Sequence, residues 1–174
     1  MNKPFDIPLE YLTDDEIAEL SKVVGRLDEV SKRDESQQDF MSFVKHVWPT
    51  FVEGNHHKIY ADKLQKVAEG KIKRLIVNMP PRHTKSEFAS YLFPSWLMGR
   101  KPDTKIIQAT HTAELAVGFG RKVKNLIDSD VYRDVFPELS LASDAKASGR
   151  WSTSKGGEYY AVGVGGALAG RGAD

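Results

Sequence analysis

Two adjacent prolines, Pro80 and Pro81, separate a short apolar run from a segment of cations and hydroxyls, and they restrict the fold more than any other pair of residues in the chain. The stretch from Arg74 to Ser86 reads RLIVNMPPRHTKS. Leu75, Ile76 and Val77 have the character of a buried strand. Proline has no N–H and a fixed φ, so a strand ladder cannot run through the pair and the chain must turn there. Arg82, His83, Thr84, Lys85 and Ser86 follow and lead into a helical pattern. Strand, tight loop and a Lys-Ser pair opening a helix is the layout of a phosphate-binding loop. The expected lining is Pro81, Arg82, His83, Thr84, Lys85 and Ser86. Amides from Arg82 onward would meet a polyphosphate at the start of the helix, where free N–H groups and the helix dipole favour an anion. Lys85 would reach the terminal phosphates and the Ser86 hydroxyl would hold Mg²⁺.

The stretch departs from G-x-x-x-x-G-K-[ST] at both glycines, with Met79 at the first and Thr84 at the second. Glycine at such positions permits close backbone approach or a conformation that other residues dislike. A β-branched threonine at positive φ would be strained. On its own residues the stretch also fits an ordinary strand–turn–helix junction, and the rest of the chain has to discriminate.

With 174 residues, the chain has enough length for one domain with a substantial core. Its 40% hydrophobic and 28% charged residues suit a globular protein. No cysteine is present, which excludes disulfides and thiolate metal sites. No apolar run approaches the length of about 18 residues that a membrane span needs, and MNKPFDIPLE lacks a signal-peptide core. A cytosolic location without membrane association is therefore expected. The net charge of +1 conceals an acidic segment over residues 13–36 and a basic one over 71–85, where Lys71, Lys73, Arg74, Arg82 and Lys85 occur with no acid. A local cationic cluster suits a polyanionic ligand.

Residues 1–12 contain two prolines and read as an extended arm. Thr13 and Glu16 form a capping box, and Ile17, Leu20, Val23, Val24, Leu27 and Val30 recur at helical spacing, which predicts a helix over about 14–32. A second helix is expected over about 36–47, ended by Trp48-Pro49, and a third over about 56–68, with Gly70 as its C-terminal cap. Neighbouring residues on a helix point about 100° apart, so His56 and His57 are poorly placed to share a metal ion. A structural or helix-start role and a contact to a nucleotide base are the readings left for that pair. Residues 87–98 are helical in character, with Pro94 expected to kink or end the helix. Thr104 to Thr110 reads as a second strand. A further helix runs from Thr112 to about Ile127, interrupted in pattern by Gly118 and Gly120. Residues 129–141 read as a short helix and loop. Arg150–Thr153 and Glu158–Val162 read as a hairpin across Gly156-Gly157, and 163–172 form a glycine-rich loop with one long cation, Arg171. Strands alternating with helical crossovers favour a parallel α/β sheet.

Four blocks together, HHKIYADKL, RLIVNMPPRHTKSE, IIQATHTAELAVGFGRKVKNLI and YAVGVGGALAGRGAD, resemble the large subunit of tailed-phage terminases, the ATP-driven motors that package viral DNA into a procapsid. The resemblance covers about Phe40 to Asp174. It implies an α/β, RecA-like P-loop NTPase of the ASCE type with a parallel sheet, over residues 56–174, preceded by an N-terminal arm and helical segment over 1–55. It implies ATP and Mg²⁺ as ligands, with Lys85 as the phosphate-binding lysine, Ser86 as the Mg²⁺-holding hydroxyl and Arg82 as an arginine contacting phosphate within the loop. His57 falls where packaging ATPases place an adenine-reading residue. Arg171 lies where a finger reaching a neighbouring subunit's nucleotide is found. The implied partners are double-stranded viral DNA, the small terminase subunit, the portal and further copies in a homo-oligomeric ring, in the host cytoplasm. The family's Walker B strand, coupling motif and C-terminal nuclease are expected beyond Asp174, so the chain reads as an incomplete ATPase that binds ATP without turning it over. A non-catalytic nucleotide- or DNA-binding module, and another P-loop enzyme such as a helicase or kinase, are the rival readings.

Overall fold

The computed structural model describes residues 12–145, 147–166, 170 and 172–174. Residues 1–11 of the expected arm over 1–12 and the finger candidate Arg171 lie outside the described residues.

Helix α1 (Asp14–Gln38) starts with the expected capping box, in which the Thr13 amide and hydroxyl both donate to the Glu16 carboxylate at 2.8 Å. It runs past the expected end because Asp39, not Ser36, supplies the next start signal. Asp39 adopts an extended conformation, and its carboxylate accepts the Ser42 N–H at 2.7 Å to open α2 (Phe40–Val47). Only the C-terminal part of α1 is anchored, by the Trp96 indole N–H donating to Ser36 O at 3.0 Å and the Gln37 amide donating to Val135 O at 2.6 Å. The apolar stripe from Ile17 to Val30 faces outward among the described residues. Helix α3 (Asn55–Ala68) is followed by Gly70 at φ 74°, the left-handed turn that a glycine after a helix permits.

The expected strand at Leu75–Val77 is corrected. Residues 72–80 are extended, with Leu75, Val77 and Met79 turned inward and Ile76 88% exposed, but no ladder forms on either side. The period-2 alternation is that of a strand. What is missing is a neighbour, because the three strands described pair only with one another. Open grooves flank this segment instead, one of about 490 Å³ bordered by Tyr60, Lys85, Ser86 and Phe93, the other of about 360 Å³ bordered by His56, Ile59 and Lys63.

A helical run follows the loop: α4 (Lys85–Glu87), a π-helical turn (Phe88–Leu92) and α5 (Phe93–Arg100). Pro94 lies at the start of α5, where the wide turn before it accommodates a residue without an N–H. The Ser95 hydroxyl donates to Tyr91 O at 2.7 Å within that junction. Strand β1 (Lys105–Thr110) leads to α6 (Ala113–Ile127), capped by the Thr112 hydroxyl, and then to the short α7 (Asp130–Val135). Gly120 does not break α6. A Cβ there would lie 2.5 Å from Ser148 O, so glycine allows the loop before β2 to press against the helix.

The sequence-expected hairpin is present as β2 (Arg150–Ser152) and β3 (Glu158–Gly163), antiparallel with Trp151 opposite Tyr159. Strand β3 also pairs with β1 in parallel, Ile106 opposite Tyr159. The sheet is therefore three-stranded and mixed, in the order β1-β3-β2, rather than wholly parallel. The chain is a mixed α/β protein whose described residues lie far more in helices than in strands. One core unites Phe40 and Phe43 of α2 with Leu64 of α3, Phe88, Trp96, Ile127, Tyr132 and Tyr159. Among the described residues no helix is long and apolar enough to cross a membrane.

Candidate functional site

The loop between the extended segment and α4 is held in an unusual backbone conformation. Arg82 has φ 62° and Thr84 has φ 60°, both in the left-handed region, and they are the non-glycine residues with positive φ among those described. His83 between them does not share that conformation, so backbone handedness alternates across three residues. Such alternation turns successive N–H groups toward one concave side, the arrangement known to hold anions. Among the described residues, Pro81 and Arg82 form a hydrogen-bonded turn, and no amide from Thr84 to Glu87 donates a hydrogen bond to another protein group. A row of free amides at the mouth of a loop costs stability unless water or a ligand satisfies it.

Side chains close the loop from both ends. The Lys85 ammonium crosses the mouth and donates to Met79 O at 3.4 Å, joining the last part of the loop to its first. His83 Nδ1 donates to Pro81 O at 2.8 Å. The Tyr60 phenol donates to Lys85 O at 3.4 Å, and burial pushes its pKa up to about 12, so it stays protonated and able to donate. Arg82 is exposed and has no ion-pair partner among the described residues, and the Ser86 hydroxyl is likewise exposed. The Glu87 carboxylate is drawn away by Lys122 of α6 at 2.8 Å. Pro81, Arg82, His83, Thr84, Lys85 and Ser86 thus form one continuous rim, as their sequence order requires, with the Arg82 guanidinium and the Ser86 hydroxyl unengaged among the described residues and Lys85 held by one long bond.

His57 occupies a different position from that of its neighbour. It is the third residue of α3, and its Nδ1 accepts the Gly54 N–H at 2.9 Å, the reciprocal half of a helix cap. Its Nε2 lies 2.8 Å from the Thr84 hydroxyl. Its ring packs at 4.8 Å from that of Phe51 and stacks on Phe88 at 5.4 Å. At 6% exposure, with both nitrogens bonded, the ring is enclosed. His56 remains exposed beside it, with ring centroids 3.8 Å apart, and 5.8 Å from His83. Sequence reasoning left the supporting residues Gly54, Phe51, Tyr60 and Phe88 unmarked. A glycine immediately before a helix whose third residue is a histidine was the one local signal available for Gly54.

Magnesium can be tested against these residues. Among those described, no three His, Cys, Asp or Glu side chains gather into a metal cluster. A hard cation at this loop would need few protein ligands, because phosphate oxygens and water complete its shell. The free Ser86 hydroxyl beside Lys85 meets that requirement.

Comparison of the chain with family models, curated proteins and solved structures yielded no match in any of the three.

Proposed function

We propose that the loop from Pro81 to Ser86 binds the polyphosphate of ATP with Mg²⁺, as the nucleotide-binding part of a RecA-like, terminase-type DNA-packaging ATPase. The observation that carries the reading is the row of unpaired amides from Thr84 to Glu87, with the Lys85 ammonium spanning the loop mouth. Oriented amides and a fixed cation are what a triphosphate requires, and they act by position and charge rather than by covalent chemistry. In this reading Lys85 exchanges its contact with Met79 O for phosphate oxygens, Arg82 adds a second cation, and Ser86 holds the metal, which neutralises developing phosphoryl charge when bound. Arg171 would act on the nucleotide of an adjacent copy in a ring.

A second feature supports the wider assignment. Asp174 lies at the edge of β1 opposite β3, where its N–H donates to Lys105 O at 3.0 Å and its carboxylate accepts the Lys105 N–H at 2.9 Å. In this reading, that edge of β1 is where a further strand of a RecA-like sheet pairs. The loop binds and positions the nucleotide, and the water-activating glutamate of the terminase family is a separate element. Viral double-stranded DNA, small subunit and portal are partners of the whole motor in this reading.

Calorimetric titration of the chain with Mg²⁺ and a non-hydrolysable ATP analogue tests the proposal. Saturable binding weakened at least about tenfold by Lys85→Ala, a loss of about 1.4 kcal/mol, is expected. Equal binding by both proteins would sink the assignment. Sustained ATP turnover abolished by the same substitution would extend the reading from binding to catalysis. Binding of duplex DNA with a steep salt dependence but no nucleotide binding would favour the DNA-binding module instead.

A further inference from the structure

We infer that His57 is a positioning residue for the loop, holding Thr84 in the left-handed conformation that a glycine would adopt unaided. The proposal rests on the phosphate-loop reading for its functional consequence, but the tether itself does not.

Thr84 immediately precedes Lys85 and has φ 60°, ψ 7°. For a β-branched residue this conformation is unfavourable, and it persists only where surrounding contacts enforce it. The contacts are visible. His57 Nδ1 accepts the Gly54 N–H, so the neutral ring carries its proton on Nε2 and donates it to the Thr84 hydroxyl at 2.8 Å. The Thr84 hydroxyl in turn donates to His83 O at 2.6 Å. Amide, imidazole, hydroxyl and carbonyl thus form one directed chain in which each donor has a single acceptor. Phe51 and Phe88 fix the plane of the imidazole, and Phe88 is fully buried. The start of α3 is thereby bonded to the residue that sets the direction of Lys85. Threonine is not a defective glycine here, because its hydroxyl is the handle by which α3 grips the loop.

This role differs from base recognition. An adenine contact needs a ring edge open to ligand, whereas both His57 nitrogens face protein groups. The two roles separate in one set of variants: His57→Phe, which retains an aromatic ring between Phe51 and Phe88, Thr84→Gly, and the pair combined. Thermal denaturation without ligand reads the tether. His57→Phe is expected to lower the melting temperature in the Thr84 background and to have a much smaller effect in the Thr84→Gly background, since glycine needs no tether. Equal losses in both backgrounds would overturn the proposal.

Titration with Mg²⁺-bound ATP analogue and with Mg²⁺-bound inorganic tripolyphosphate reads the consequence. His57→Phe is expected to weaken both about tenfold, and the double variant to return to within about threefold of Thr84→Gly alone. Weakening of the ATP analogue only would assign His57 to the base and overturn the positioning role. If no variant binds either ligand while the denaturation coupling persists, the tether stands and the nucleotide reading falls. Should His57→Phe fail to fold, the imidazole nitrogen spectrum of the unmutated chain decides: protonation on Nε2 alone at neutral pH is expected, and a proton on Nδ1 overturns the proposal.

Discussion

At the scale of residues, the His57 ring has the most to lose when pH changes. Burial, then the neighbouring His56, hold its pKa below the ordinary value of 6.5, with Glu53 opposing and His83 adding to the depression. The unfolded chain therefore binds a proton that the native state resists. Stability from this group is complete above about pH 6.5 and is lost as pH falls toward the depressed native value. Urea midpoints measured from pH 7.5 down to 5.5 are expected to fall, and to fall less in His57→Phe. Lys85 shows the opposite economy. It makes one long hydrogen bond and is half-buried, so Lys85→Ala is expected to shift the melting temperature only slightly while weakening the proposed nucleotide binding. Loss of folding in that variant would mean that the ammonium is structural.

At the scale of elements, α1 is two helices in energetic terms. Its C-terminal part is bonded to α5 and to the end of α7, whereas its N-terminal turns rest on local interactions. Thr13→Ala removes the capping box, worth about 1 kcal/mol to a helix end. Because those turns contribute little to the core, the loss is expected as faster hydrogen exchange over the first turns of α1, with an almost unchanged global midpoint. A matching drop in global stability would show that the apolar stripe is packed in solution. Helix α6 behaves otherwise. Gly120→Ala sets a methyl against Ser148 O, an overpacking that costs about 1–3 kcal/mol and should appear directly in the denaturation midpoint.

At the scale of the molecule, Phe40 ties the helical N-terminal segment to the rest. It is fully buried, with its ring 5.6 Å from Phe88, 5.7 Å from Phe93 and 5.3 Å from Trp96. Phe40→Ala is expected to cost about 3–5 kcal/mol. Because one core spans both sides of residue 55, helicity and tryptophan fluorescence should be lost in a single shared transition. Two separated transitions would show that the segment before residue 55 unfolds by itself. The same core explains the loop's support, since Phe88 contributes one face to the core and another to the His57 ring.

Much of this was legible locally. The Thr13 capping box, the glycine after α3, the hairpin of β2 and β3 and the order of residues around the loop follow from caps, turn residues and periodicity, which act between residues close in the chain. Thr84 at the second glycine position could be identified from sequence as a point of strain, but not what relieves it. His57 stands 27 residues earlier, and its bond to Thr84 exists only because α3 and the loop pack on the same aromatic cluster. The extended segment 72–80 makes the converse point. Its alternation was set by side chains, whereas membership of a sheet depends on a neighbour's backbone, which no local pattern encodes. Sequence alone determined where the chain turns and which residues line the loop. The tertiary structure decided that α3 grips the loop, because only packing brings a donor to a hydroxyl from a distant part of the chain.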